Sequence, residues 1–116
     1  MGLAPEQRVY IVIKARNTGN QIWSNTGLNP IRAATSNHRD RVSGFCDSST
    51  WLNCARPTNM QEATVAPNEI GTFGFWIKAP TGFNGYSSRE YFSLVAEGKT
   101  WLNTEPGIFW PVSIKP

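Results

Sequence analysis

Arginine side chains are concentrated in one segment of this sequence that also contains a tryptophan, and these residues could recognise a ligand. Between Arg32 and Arg56 there are four arginines and two aspartates, which gives a local charge of +2. A guanidinium group matches the geometry of a carboxylate or phosphate, and an indole ring can stack on a base or a sugar. We therefore predict a ligand-binding loop formed by Arg39, Arg41 and Trp51.

A second candidate surface consists of aromatic residues at positions that should face outward. If Ile11 and Ile13 point into a core, then Tyr10 points away from it, and the same alternation puts Trp76 and Tyr91 outside. Should these three aromatic residues share one sheet, they form an exposed patch. Such a patch could stack on sugar rings, dock a neighbouring domain or form a dimer contact. A register shift of one residue, or a covering loop, would remove it.

Motifs for catalysis and cofactor binding are missing from the sequence. It contains no GxGxxG or GxxxxGK[ST] phosphate loop and no GxSxG nucleophile elbow, and its single histidine, His38, has no nucleophile beside it. Two carboxylates could form a catalytic pair if they met in space, and the candidates are Glu62, Glu69, Glu90, Glu97 and Glu105. Glutamates at strand ends and turns, however, are ordinarily solvated. We expect no enzymatic activity and no cofactor.

The two cysteines, Cys46 and Cys54, lie close together in a polar, loop-like stretch. Their spacing is not that of a CxxC metal site, and one histidine is too few to complete a zinc site. A disulfide between them would stabilise the fold by about 2.5 to 3 kcal/mol through loop closure. The sequence favours this disulfide, and the alternative is a pair of reduced thiols in a cytosolic protein.

The composition favours a single domain built from strands. Of 116 residues, 40% are apolar and only 16% are charged, which excludes an intrinsically disordered chain. Aromatic and β-branched residues are frequent, and eight prolines are spread along the chain, which disfavours long helices. No apolar run approaches the roughly 20 residues of a membrane helix. The net charge of +3 is too small to indicate a nucleic-acid partner.

Alternating apolar residues and turn residues predict six or seven short strands. The clearest run is 72–79, in which Phe73, Phe75 and Ile77 share one face. The other predicted strands are 8–16, 30–34, 63–66, 86–97 and 108–114, and a long irregular loop is expected over 35–59. This spacing predicts a two-sheet antiparallel β-sandwich that occupies residues 1–116 as one domain, with its core over about 8–115.

Short motifs follow one another in a recognisable order from Val9 to Ile114. They are Asn17-Thr-Gly-Asn20 followed by Trp23, Val65-Ala-Pro-Asn-Glu69, Gly71-Thr-Phe73, Lys78-Ala-Pro80, Gly85-Tyr86 and Phe92-Ser-Leu94. This ordered set resembles the immunoglobulin-like domain found centrally in the next-to-BRCA1 autophagy receptor. It is even more similar to bacterial versions of that domain in exported, cell-wall-associated proteins, through Leu94-Val-Ala-Glu-Gly98 followed by Trp101. The chain departs from the family in its cysteine-bearing segment 37–59 and in Asn68, where glycine is usual.

The resemblance implies a non-catalytic immunoglobulin-like sandwich of about seven strands, serving as a binding or spacer module of an exported bacterial surface or cell-wall-associated protein. Its partners would be other domains of a larger parent protein, a cell-wall polysaccharide or a protein, without membrane insertion. Two alternatives are a carbohydrate-binding module that uses coplanar exposed aromatics, and a cytosolic protein-docking adaptor, which free thiols would favour. Trp23 is expected to fill the core between the sheets.

Overall fold

The computed structural model describes residues 2–81, 87–104 and 106–114, and these residues form strands, turns and loops without a helix. This part of the chain has ten strands: β1 (Gly2–Leu3), β2 (Arg8–Arg16), β3 (Trp23–Ser24), β4 (Ile31–Thr35), β5 (Thr58–Asn59), β6 (Thr64–Val65), β7 (Ile70–Lys78), β8 (Ser87–Ala96), β9 (Thr100–Trp101) and β10 (Ile108–Ile114). The all-β class predicted from the sequence is confirmed.

The six strands predicted from the sequence correspond to β2, β4, β6, β7, β8 and β10. The strands β1, β3, β5 and β9 are not among these six, because each is a pairing of two residues that leaves no periodic pattern. The predicted turn at 80–85 and the motif at 85–86 fall largely outside the described residues.

Two layers of strands form the sandwich. In one layer β10, β8 and β4 pair side by side, with β1 parallel to β10, β5 beside β4 and β9 beside β8. In the other layer β2 and β7 form an antiparallel pair along their whole length. A short antiparallel pair joins β3 to β6. The predicted antiparallel sandwich is therefore confirmed.

Alternation of side chains determines which face of β2 and β7 is buried. Ile11 pairs with Phe75 and Ile13 pairs with Phe73, and all four side chains are buried. These residues pack with Phe92 of β8 in one hydrophobic core. Because neighbouring strand residues point to opposite faces, the residues between them project outward from the sandwich.

The segment between β4 and β5 is largely irregular, as predicted, but it contributes to the core. Phe45 and Trp51 are buried. The Trp51 ring makes edge-to-face contacts with Phe75 and Phe92, at 5.9 and 6.3 Å between ring centroids. The Lys78 N–H donates to the Phe45 carbonyl at 3.0 Å, which holds the segment against β7. The loop thus supplies the core with aromatic surface that the strands alone do not provide.

Asparagine builds two of the turns. The buried Asn17 side chain donates to the carbonyls of Gln21 at 2.8 Å and Val65 at 3.2 Å, and its Oδ1 accepts from the Gly19 N–H at 3.1 Å. Asn68 has a φ of 72°, in the left-handed region that glycine adopts most readily. Asparagine is the residue that tolerates this region best after glycine, so Asn68 preserves the turn.

Candidate functional site

A disulfide joins Cys46 to Cys54, as the sequence favours. Its sulfurs lie 2.09 Å apart, and no free cysteine occurs in the described chain. Cys46 also forms a β-bridge to Ile77, so the disulfide ties the loop to the β2–β7 layer. Disulfides persist in oxidising compartments, which indicates an extracellular type of environment for this protein.

Trp51 lies inside the protein and not on the surface of a binding loop. Its side chain is 6% exposed, and its indole Nε1 donates to the Trp76 carbonyl at 2.5 Å. The expectation that Trp51 presents an open ring to a ligand is therefore wrong, because the ring is buried. The physical reason is that the disulfide-closed loop folds its large aromatic residue inward, where the two sheets leave space for it.

Arg41 is occupied by an ion pair within the fold. Its guanidinium contacts the carboxylate of Glu90, whose side chain is almost fully buried. It also donates to the carbonyls of Ser36 at 2.7 Å and Tyr91 at 3.1 Å. Arg41 therefore compensates a buried charge, and its predicted place in a ligand-binding loop is corrected to a structural one.

Arg39 does lie beside a tryptophan, but the partner is Trp101. The Arg39 guanidinium sits 4.8 Å from the centre of the Trp101 ring and donates to the Asn103 carbonyl at 3.0 Å. Arg56 approaches the same ring at 5.5 Å. The sequence analysis grouped Arg39 with Trp51, and the structure instead places it on Trp101.

A network of charges surrounds this Trp101 stack. Glu97 accepts hydrogen bonds from Arg56 at 2.9 and 3.1 Å and from Arg32 at 3.2 Å. Burial by itself raises the pKa of Glu97, but the bonds and charges of Arg56 and Arg32 outweigh it and hold that pKa below its usual value. Arg56 also pairs with Asp40 at 2.6 Å. The network therefore keeps two of the arginines neutralised by carboxylates.

Tyr10 and Trp76 lie side by side on the outer side of the β2–β7 layer. They are direct partners in the register, and their ring centroids are 5.3 Å apart with 65° between the ring planes. Tyr10 is 51% exposed. Tyr91 is not part of this group, because it lies on β8 in the other layer, where it contacts Phe109 at 5.6 Å. The expected three-residue patch is thus corrected to two separate pairs on two different sheets.

Arg8 stacks on Trp76 and is itself neutralised. Its guanidinium lies 4.6 Å from the centre of the Trp76 ring and contacts the buried carboxylate of Asp47 at 2.7 Å. The hydrogen bond from Thr50 lowers the pKa of Asp47 most, burial opposes it, and the bonds from Arg8 and Ser49 add to the lowering, so this pKa lies at about 2. Asp47 is therefore ionised across the neutral pH range and fixes the position of Arg8.

Gly74 gives Tyr10 the room to lie across β7. A Cβ atom at Gly74 would come within 2.1 Å of the Tyr10 hydroxyl oxygen. Val12, which pairs with Gly74, is also exposed. We call the outer surface formed by Tyr10, Val12 and Trp76, with Arg8, Lys14 and Lys78 at its margins, the Tyr10 face.

Trp23 is only half-buried and borders two adjoining cavities. It packs against the core on one side, as expected, but does not fill the space between the sheets. Cavities of about 480 and 350 Å³ share Asn17, Gly19, Trp23 and Leu102 in their walls. We call the combined depression the Trp23 groove. The sequence analysis missed it, although the many amides in the segment that follows β2 were a readable signal.

No group of three or more His, Cys, Asp or Glu side chains in the described part of the chain is arranged to hold a metal ion. No described helix could span a membrane.

Comparison with protein-family models, with curated proteins and with solved structures finds no match. The resemblance to an immunoglobulin-like family therefore stays a prediction from the sequence.

Proposed function

We propose that this protein is a non-catalytic binding module of an exported bacterial surface or cell-wall-associated protein, and that its Tyr10 face docks a protein partner. The observation that carries the proposal is the Tyr10–Trp76 pair, open on the outer side of a two-stranded sheet. Tyrosine, tryptophan and arginine are the residues most enriched at the energetic centres of protein interfaces. The Tyr10 face combines all three.

The arrangement of the rings favours a protein over a sugar at this face. A flat platform for sugar rings requires coplanar aromatics, but the Tyr10 and Trp76 planes are 65° apart. Arg8 already stacks on the Trp76 ring, which reduces the ring surface left for a ligand. A corner between two aromatic rings, with exposed Val12 beside it, instead suits the insertion of an apolar side chain from a partner.

The charges at the margins indicate what the partner surface carries. Asp47 compensates Arg8, whereas Lys78 pairs with Arg8 across the strands and adds a further positive charge. Lys14 lies exposed on β2 towards the other end of the face. Acidic groups around an apolar centre would complement this pattern, and such complementarity mainly accelerates association and selects the partner.

The disulfide supports the exported location in this proposal. Paired cysteines are typical of secreted and cell-surface proteins and rare in the cytosol. The cytosolic adaptor alternative was favoured by free thiols, and Cys46 and Cys54 are bonded to each other. The resemblance of the sequence to exported bacterial modules points the same way.

Capture of partners by immobilised variants tests the proposal. The protein, its Tyr10→Ala variant and its Phe109→Ala variant are each incubated with the exported proteins of the source organism. Phe109 is the matched control, because it is an aromatic residue 44% exposed on the opposite layer. We expect one partner to be retained by the wild type and by Phe109→Ala, and retained at least about tenfold less by Tyr10→Ala, since loss of an interface anchor costs roughly 2 kcal/mol. Equal retention by Tyr10→Ala and the wild type would sink the proposal.

A further inference from the structure

The ring of Trp23 is left free for a ligand, unlike the rings of three other tryptophans. Trp51 packs against phenylalanines, Trp76 carries Arg8 and Trp101 carries Arg39. No aromatic ring or guanidinium of the described residues stacks on Trp23, and its indole N–H has no acceptor among them. Part of this ring lines both cavities of the Trp23 groove. A partly exposed, unstacked indole ring in a depression is suited to packing against the C–H face of a ligand.

The rim of the Trp23 groove offers hydrogen-bonding groups that the fold does not use. Asn20 and Gln21 are exposed and their side-chain amides have no partner among the described residues. Asn29 donates through Nδ2 to the Glu97 carbonyl at 2.6 Å, which fixes the amide and leaves Oδ1 free to accept. An amide group that both donates and accepts can bond a hydroxyl in either direction.

The floor of the groove, by contrast, is held by bonds inside the protein. Asn17 bonds carbonyls of two neighbouring segments, as described above. Asn103 accepts from the Leu94 N–H at 2.9 Å and donates to Ser93 Oγ at 3.2 Å. Leu102 packs against the hydrophobic core. The shape of the groove is therefore set before a ligand arrives, which lowers the entropic cost of binding.

The charge of the groove disfavours a cationic ligand. Among the described residues no carboxylate lines either cavity, and the charged side chains in their walls are Arg16 and Lys99. Arg16 donates to the Asn68 carbonyl. Apolar surface from Ile22 and Leu28, both strongly exposed, continues the wall outward from Trp23. The groove thus combines an aromatic ring, apolar walls and uncharged amides.

We propose that the Trp23 groove binds an oligosaccharide. The C–H face of one sugar ring would pack on Trp23, and its hydroxyls would bond the amides of Asn20 and Gln21 and the free Oδ1 of Asn29. The two adjoining cavities give room for more than one sugar ring along the groove. This site is separate from the Tyr10 face, so it does not depend on the function proposed above.

Titration of ¹⁵N-labelled protein with defined oligosaccharides tests this site. The probes are cellohexaose, chitohexaose and soluble peptidoglycan fragments, with an uncharged peptide of alternating valine and asparagine as the competing ligand class. We expect at least one glycan to shift the Trp23 indole resonance and the amides of 19–29 and 99–102. We also expect Trp23→Ala to weaken its binding at least about tenfold, as for loss of an interface anchor.

Two further variants keep the result interpretable if Trp23→Ala is poorly folded. The double variant N20A/Q21A removes exposed amides that bond nothing in the fold, so it should keep the melting temperature and weaken glycan binding by about tenfold. Tyr10→Ala, on the other surface, should bind the glycan as the wild type does. Absence of shifts in the groove with every glycan, unchanged affinity in N20A/Q21A, or binding of the peptide alone would each overturn the proposal.

Discussion

The tripeptide Trp-Leu-Asn occurs twice in this protein, and its two copies have opposite orientations. In the copy at 51–53 the tryptophan is buried and Leu52 is 51% exposed. In the copy at 101–103 the tryptophan lies half-exposed under two arginines, and Leu102 packs against the core. The same tripeptide therefore buries its tryptophan in one region and its leucine in the other.

The surrounding backbone decides which side chain of each copy is buried. Trp101 lies on β9, where it pairs with Val95 of β8 and shares the outer side of the sheet with it. Leu102 then turns inward, and its N–H donates to the Leu94 carbonyl at 2.9 Å. Trp51 does not lie on a strand. Its N–H donates to the Asp47 carbonyl at 2.9 Å within the disulfide-closed loop. Burial is thus set by pairing partners and covalent closure, which the tripeptide itself does not contain.

The strongest test of this contrast removes each tryptophan in turn. Trp51→Ala should lower the free energy of unfolding by about 3 to 5 kcal/mol, because it leaves a cavity beside Phe75 and Phe92. Trp101→Ala should lower it by about 1 kcal/mol, since it mainly removes stacking with the partly buried Arg39 and Arg56. Urea denaturation of both variants measures the difference. Equal losses in the two variants would show that the copies are not distinguished by burial.

The two arginines of the long loop give a second matched pair. Arg41→Ala should lower the free energy of unfolding by about 3 kcal/mol, because it leaves the buried carboxylate of Glu90 without its counter-charge. Arg39→Ala, which faces Trp101, should lower it by less than about 1 kcal/mol. Chemical denaturation at pH 7 compares them. Adding Glu90→Gln to Arg41→Ala should restore part of the loss, and a lack of any restoration would argue against the buried charge as its cause.

Acid titration gives the smallest expected difference in stability between the regions around Trp51 and Trp101. The folded-state pKa of Asp47, near Trp51, is about 2 against an ordinary value of 3.8, so its stabilisation is present above the ordinary pKa and is lost as pH falls towards 2. Glu97, near Trp101, also has a lowered pKa and contributes with the same sign. We expect Asp47→Asn to flatten the fall in stability between about pH 5 and 2 more than Glu97→Gln does. Thermal unfolding across this pH range measures it, and identical slopes in wild type and Asp47→Asn would contradict the assignment.

Local patterns in the sequence predict the parts of the fold that repeat every two residues. Strands β2, β7, β8 and β10 were found because apolar residues alternate along them, and the cysteine pair was found because both lie in one short loop. The family resemblance marks Asn68 as a position where glycine is usual, and its φ of 72° accounts for that preference. These features depend on neighbours in the chain, so sequence order is enough to find them.

The candidate surfaces depend on partners that are distant in sequence. Tyr10 and Trp76 were correctly placed on outward positions, but Tyr91 could be separated from them only by knowing that β8 belongs to the other layer. Trp51 was misplaced because an irregular loop has no period from which to derive its inward direction. Trp23 was expected to be enclosed in the core. It is half-buried because a groove lies between two parts of the chain, the segment that follows β2 and the strand β9.

The measurement that tests the central claim most directly is oxidative footprinting of the protein alone and in complex with the partner captured through it. Hydroxyl radicals label exposed aromatic rings, so the labelling of Tyr10, Trp76 and Phe109 reports which layer is covered. The account predicts that Tyr10 and Trp76 become protected in the complex while Phe109 is labelled as before. Unchanged labelling of Tyr10, with protection of Phe109, would place the docking surface on the opposite layer and contradict the account.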